Sequence, residues 1–265
     1  MPLTPVFGHE DLRRQLDAAI RADRLPQVLL LTGPEGVGKQ RLGLWLAQRL
    51  VCAAPELEPC GRCVPCRQVL ELSHPDVHWV VPVPRPKAGE PDKQVEEVAE
   101  SLEAAMAERR ASGSWGAADG MASHGVASAR WLQRKAALTA ALGGWRVFLI
   151  GHAERLVPQE SSPEAANALL KLLEEPPARA VFVLTATEPG LVLPTIRSRS
   201  VPVRVARASD DAVRQWATSR ELRLDDAKVA AARGAIGRLE AGDDAASRAA
   251  RDAAVRPSCP RAPGA

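Results

Sequence analysis

The residues best suited to chemistry begin with Gly33-Pro-Glu-Gly36-Val-Gly38-Lys39. They follow the apolar run Val28-Leu-Leu-Leu-Thr32 and lead into Arg41-Leu-Gly-Leu-Trp-Leu-Ala-Gln-Arg-Leu50, which is apolar at helical spacing. Strand, glycine-rich turn and helix in that order are the setting of a phosphate-binding P-loop. Glycines let backbone N–H groups converge on phosphate oxygens, the helix N-terminus adds positive potential, and Lys39 adds a point charge. A plain glycine turn would not need the lysine. Gly33, Gly36, Gly38, Lys39 and Gln40 are therefore the candidate nucleotide-binding set. One of these positions departs from a hydrolysing site, where Ser or Thr follows the lysine and its hydroxyl ligates Mg²⁺. Here that residue is Gln40.

A second departure lies at the end of Trp145-Arg-Val-Phe-Leu-Ile150, a buried-strand pattern. A P-loop ATPase ends this strand in Asp-Glu, one residue organising Mg²⁺ and the other polarising the attacking water. This chain has Gly151 and His152, and Glu154 comes two residues late. Thr187, just beyond the apolar run Ala180-Val-Phe-Val-Leu184, is placed either to face a γ-phosphate or to cap its loop. The combination predicts a nucleotide-shaped site that does not turn over.

Cys52, Cys60, Cys63 and Cys66 form the third group: four of five cysteines within fifteen residues, three of them spaced C-x2-C-x2-C. Four thiolates complete tetrahedral Zn²⁺ and leave no open position, so zinc here would be structural. An iron–sulfur cluster, a redox C-x-x-C pair and buried free thiols share this spacing; surroundings rich in Pro and Arg without apolar cover favour zinc. Cys259 stands apart. Arg62 and Arg67 flank the cluster, which is thin support for a nucleic-acid contact. His74 and His78 read as surface or packing residues. The fourth group is Arg197-Ser198-Arg199-Ser200, two arginines in a short exposed helix end, read as lying away from acidic neighbours. They suit a solvated surface, or an arginine finger that reaches a neighbouring subunit's γ-phosphate.

These groups must be positioned by an α/β framework. Gly8 to Asp23 places Leu12, Leu16 and Ile20 on one helical face, and Val77 to Val83 reads as the second strand. Residues 84–128 loosen into a Pro-rich linker, a charged helix from Val95 to Arg110, and a glycine-rich stretch, together expected to be a flexible surface insertion. Ala129 to Leu142 is a helix stopped by Gly143-Gly144. Pro163 to Glu175 is another, entered through proline and ended by Pro176-Pro177. Val201 to Val205 is the fifth strand.

At 265 residues and 46% hydrophobic, the chain can bury one full core and a small second domain. A net charge of +3 excludes nucleic-acid binding by bulk field alone. No Tyr and three Phe leave a base-stacking platform poorly supplied, so the six Trp read as packing residues. The N-terminus lacks a signal-peptide core and no apolar run is long enough to cross a bilayer, so a soluble, cytoplasmic protein without membrane contact is expected.

GPEGVGK, the four-cysteine insertion, SHPDVHWV, GGWRVFLI, NALLKLLEEPP and LPTIRSRS cover most of Val6 to Val205. In these the chain resembles the delta-prime family of the bacterial DNA polymerase III clamp loader, in the AAA+ superfamily. The resemblance implies a RecA-like parallel sheet flanked by helices with a zinc module at 52–66, making a P-loop domain over 1–206, and a small helical lid over 207–241. It implies partnership with gamma/tau and delta subunits, and through the complex with the sliding clamp and primer-template DNA. It also implies ATP or ADP held without hydrolysis. Arg199 takes the place of the trans arginine finger, with Ser200 where the family has Cys. Gly234-Ala-Ile-Gly237-Arg238 resembles the turn that places a sensor arginine. Two departures stand out. Cys52 to Cys60 is one residue shorter than the family interval, and residues 242–265, low in large apolar side chains, predict disorder where the family has a helical collar.

Overall fold

The computed structural model describes residues 3, 6–87, 89–112, 122–142, 144–156 and 163–239. Five strands form one parallel sheet: β1 (Val28–Thr32), β2 (Val77–Val80), β3 (Arg146–Ile150), β4 (Ala180–Ala186) and β5 (Val201–Arg204), ordered β2-β3-β4-β1-β5. This is the parallel α/β sheet, flanked by helices, that the resemblance implies. The central strands are buried along their length, which is why they read as unbroken Val/Leu/Phe runs rather than alternating ones. Phe148 and Phe182 stack across β3 and β4 with centroids 4.8 Å apart.

The helices are α1 (Glu10–Arg21), α2 (Lys39–Val51), α3 (Val64–Leu70), α4 (Pro91–Ser112), α5 (Val126–Ala137), α6 (Pro163–Glu174), α7 (Pro194–Arg197), α8 (Asp210–Ser219) and α9 (Asp226–Ala232). Gly43 lets α2 sit against the sheet, since a Cβ there would meet Leu149 Cδ1 at 2.6 Å. Leu16 of α1 is buried, with Leu12 and Ile20 packed beside it, as their spacing predicted. Asp17 on the same helix is also buried, where its carboxylate accepts from Arg49 Nε at 2.7 Å and Arg21 Nε at 2.7 Å. Ser209 and Asp225 cap α8 and α9 by accepting from Ala212 N and Lys228 N. Val213 and Val229 of these helices form a second, smaller core.

Several boundaries differ from the sequence expectation. β2 stops at Val80 rather than Val83, because Pro82 and Pro84 cannot donate to a ladder; Val83 makes one antiparallel bridge to Ser123. The helix expected over Ala129 to Leu142 starts at Val126 and ends at Ala137. The buried Asp76 carboxylate accepts from Ala141 N at 2.7 Å and Leu142 N at 3.0 Å, which turns the chain out of the helix. Within 84–128, α4 is longer than expected and is no loose appendage, since Val95, Val98 and Leu102 are buried in the main core. Residues 113–121 lie outside the described set, and so does the tail from 240 onward, including Cys259. α3 was not foreseen, although Pro65 in its first turn marks its start.

His78 packs in the core, its ring 5.2 Å from Phe148 and stacked on it, and His74 is buried too; among the described residues the cluster of candidate metal ligands is the four cysteines and includes neither. Trp45, Trp79 and Trp216 are buried, in line with the packing role expected of them.

Candidate functional site

Sheet register brings three loops to one edge. Thr32 pairs with Ala186 and Ile150 with Leu184, so Gly33, Gly151 and Thr187 all emerge at the carboxyl ends of β1, β3 and β4. Ligands of open α/β sheets bind at this edge, beside strands whose neighbours in space are distant in sequence.

The turn from Gly33 to Gly38 wraps as a P-loop requires. A Cβ at Gly33 would lie 2.3 Å from Val205 O, so only glycine fits there. Gly36 and Gly38 have φ of 78° and 94°, the left-handed region that glycine enters without steric cost. Lys39 opens α2 and is buried; its Nζ donates to Gly33 O and Pro34 O, each at 2.8 Å, and to Thr187 Oγ1 at 3.1 Å. Burial lowers its pKa to about 8. Sequence reasoning placed Lys39 and Thr187 in one site, and they are hydrogen-bonded. His9 at the start of α1 was not foreseen: its Nε2–H donates to Val37 O at 2.8 Å and pins the loop from the other side.

The segment after α9 packs over the turn. Gly237 N donates to Gly36 O at 2.8 Å, and Arg238 packs on Gly36, where a Cβ would meet Arg238 Cγ at 3.0 Å. Arg238 is thus beside the loop and exposed.

Gln40 at the start of α2 meets Gly151 and His152 at the tip of β3. The Gln40 amide lies over Gly151, so a Cβ at 151 would stand 3.2 to 3.3 Å from its three terminal atoms. Its Nε2 is 3.1 Å from His152 Nε2, and His152 Nδ1 is 3.6 Å from Glu154 Oε1. His152 N donates to Thr185 Oγ1 at 3.2 Å, and Thr187 N donates to Glu154 Oε1 at 3.3 Å. Buried His124 holds the same tip, its Nε2–H donating to Gly151 O at 2.7 Å. Burial works to raise the Glu154 carboxyl, yet the partners His152 and Thr187 leave it below the usual range. Gln40 Oε1 and Glu154 Oε2 are buried without a hydrogen-bond partner among the described residues.

Cys52, Cys60, Cys63 and Cys66 come together with all four sulfurs within 4.8 Å of one another. Tetrahedral zinc with Zn–S of about 2.3 Å separates its sulfurs by about 3.8 Å, so the donor set fits with slight contraction. The N–H groups of Cys63 and Arg62 point at the Cys60 sulfur and lower its pKa to about 6, which favours the thiolate a metal needs, while burial pushes the Cys66 thiol up. The cluster is tied to the P-loop domain. Glu58 accepts from Trp45 Nε1 at 2.6 Å and pairs with Arg13 at 2.7 Å, and Gln48 Nε2 donates to Cys66 O at 3.0 Å.

Arg199 follows α7 on the surface. It does have an acidic neighbour, contrary to the sequence reading: Nε donates to Glu174 Oε1 at 2.7 Å, and Nη1 to Thr195 O at 2.9 Å. Glu174 ends α6, twenty-five residues earlier, so only folding brings the two together.

No helix among the described residues is long and apolar enough to cross a membrane. The family described as "DNA polymerase III, delta subunit" has a sequence model that matches residues 8–209. The chain is 33% identical over 187 residues to the DNA polymerase III subunit delta' of Yersinia pestis, covering 70% of this chain and 43% of that protein. It is 32% identical over 212 residues to the DNA polymerase III subunit gamma/tau of Mycobacterium tuberculosis, covering 77% and 29%. A solved DNA polymerase III gamma subunit-related protein from Thermotoga maritima aligns at 20% identity and a TM-score of 0.44, over 76% of this chain and 49% of that one. The chain thus spans less than half the length of these relatives. With the family match running from the start of α1 to the start of α8, the chain belongs to the DNA polymerase III delta subunit family.

Proposed function

We propose that the chain acts as a non-hydrolysing, delta-prime-like subunit of the DNA polymerase III clamp loader. In this reading it helps ATP-dependent loading of the sliding clamp onto primed DNA and supplies Arg199 in trans to a neighbouring gamma/tau site. The observation that carries it is the filled metal position. Gln40 replaces the hydroxyl that would ligate Mg²⁺, Gly151 replaces the carboxylate, and the amide of one occupies the space above the other. An ATPase needs a metal ion bridging the β- and γ-phosphates and a carboxylate polarising water. His152 stands where the polarising carboxylate belongs, so neither function is served.

In this proposal residues 1–206 form the P-loop domain and 207–241 the lid, with Gly33, Gly36, Gly38, Lys39, Gln40, Thr187 and Arg238 lining the nucleotide site. The four cysteines hold structural Zn²⁺, which fixes the chain between α2 and α3 and takes no part in turnover. The partners are gamma/tau and delta subunits, and the chain works in the bacterial cytoplasm. Arg199 is exposed at a surface corner, the placement a finger needs to reach another subunit.

A second reading is an active gamma/tau-like ATPase, favoured by the match to gamma/tau relatives and by the preserved Lys39–Thr187 pair. Glu154 would then be the carboxylate. ATP turnover by the purified chain separates the two: the proposal expects none above background. Turnover that Lys39→Ala abolishes would establish the second reading instead.

A further inference from the structure

The filled metal position also determines which nucleotide the loop can hold. We propose that this P-loop takes a nucleoside diphosphate without a divalent cation, with the Gln40–Gly151–His152 group standing where the metal would be. The inference rests on reading Gly33 to Lys39 as a nucleotide site.

Three observations support it. First, steric: the three terminal atoms of the Gln40 amide lie 3.2 to 3.3 Å from where a Cβ at Gly151 would stand, so a side chain there would press on the amide already beside it. Second, bridging: His152 presents Nε2 to Gln40 at 3.1 Å and Nδ1 to Glu154 at 3.6 Å, so an imidazole ring spans the two groups that a cation would otherwise join. His152 is itself fixed through its N–H to Thr185 Oγ1, and His124 fixes Gly151 through its carbonyl. The ring is thus part of a built scaffold rather than a loose side chain.

Third, charge. Glu154 is held by Thr187 N, next to the hydroxyl that accepts from Lys39 Nζ, and its carboxylate acts electrostatically on that ammonium. The loop-end lysine therefore already has a resident anion acting on it across Thr187. A diphosphate places its β-phosphate within the glycine turn, served by backbone N–H groups and Lys39. A third phosphate brings further negative charge toward Glu154 with no metal to neutralise it. The site thus distinguishes two phosphates from three by electrostatics.

The test is equilibrium binding of ADP and ATP to the full chain, in magnesium and in magnesium-free buffer, avoiding strong chelators that would strip the thiolates. The expected result is an ADP affinity that changes less than about twofold between the two buffers, and ATP at least about tenfold weaker than ADP in both. Glu154→Gln should narrow the ADP-to-ATP ratio, and the double variant Gln40→Thr/Gly151→Asp should acquire magnesium dependence of about tenfold or more. The wild-type comparison stands even if the double variant fails to fold. A tenfold gain in wild-type affinity on adding magnesium would overturn the inference, because the buried acceptors Gln40 Oε1 and Glu154 Oε2 would then be ligating a cation. Binding of neither nucleotide would overturn it as well. It would leave the clamp-loader reading intact, since the role proposed for Arg199 is tested in trans and does not depend on this loop holding nucleotide.

Discussion

Arg199 and Glu174 are joined by an ion pair between the corner after α7 and the last residue of α6, with Arg199 Nε 2.7 Å from Glu174 Oε1. The carboxylate holds the guanidinium, together with Thr195 O, in one direction on the surface. Both side chains are substantially exposed, so the pair contributes little to stability. Arg199→Ala and Glu174→Gln should each shift the thermal midpoint by less than about 4 °C, the displacement expected for roughly 1 kcal/mol in a domain of this size. Calorimetry checks this. A larger drop would mean that the corner is structural, and a loss of activity in Arg199→Ala could not then be attributed to a finger.

The thiolate cluster should contain one zinc ion per chain. Metal analysis of the purified protein is the direct check, and iron in place of zinc would refute the assignment. Because Glu58, Arg13 and Trp45 tie the module to α1 and α2, removal of the metal should destabilise the P-loop domain and not only the knuckle. Cys63→Ser is expected to lower both zinc content and thermal midpoint.

The buried Asp17–Arg49 pair supports a third expectation. Asp17→Ala leaves a guanidinium that is 5% exposed without its partner, and breaking a buried pair in this way costs about 3 to 5 kcal/mol. Urea unfolding of Asp17→Ala, and of a double variant with Arg49→Met, should show the double variant to be the more stable. If the single variant lost less than about 1 kcal/mol, the pair would be incidental.

Stability should fall on mild acidification. Burial holds both His78 and His124 at a pKa of about 4, below the 6.5 of an exposed imidazole. Between these values the unfolded chain binds protons that the folded one refuses, so unfolding free energy rises with pH across 4 to 6.5 and declines as pH drops through that window. From pH 6.5 to 5 the loss is about 1.6 kcal/mol for each histidine. His124→Gln, which keeps a donor for Gly151 O, should reduce the slope in urea titrations at a series of pH values. A wild-type stability that is flat between pH 7 and 5 would contradict the assignment.

What was legible in the sequence follows a physical division. The five strands announce themselves because a parallel sheet buried on both faces needs continuous apolar runs, and the P-loop does so because its glycines and lysine are local in sequence. The grouping of Gln40, Gly151 and His152 near the P-loop was legible for the same reason, as they sit at fixed offsets from strands. That the Gln40 amide fills the space over Gly151 was not, because their contact crosses from α2 to the tip of β3. The same holds for Glu174 beside Arg199, and for His9 on Val37 O. The early end of α5 depends on Asp76, more than sixty residues upstream, reaching two backbone N–H groups. Helical periodicity carries no trace of such a competitor.

The central claim is that this chain turns over nothing itself and raises turnover in a neighbour. The most direct measurement is DNA- and clamp-stimulated ATP hydrolysis by gamma/tau and delta subunits, with wild-type chain or Arg199→Ala added and assembly confirmed by co-elution. The account predicts that the wild-type chain stimulates hydrolysis, and that the variant assembles while turnover at the site it serves falls by about 10³-fold, the scale of a trans arginine finger. Equal stimulation by both proteins, with both assembled, would contradict it.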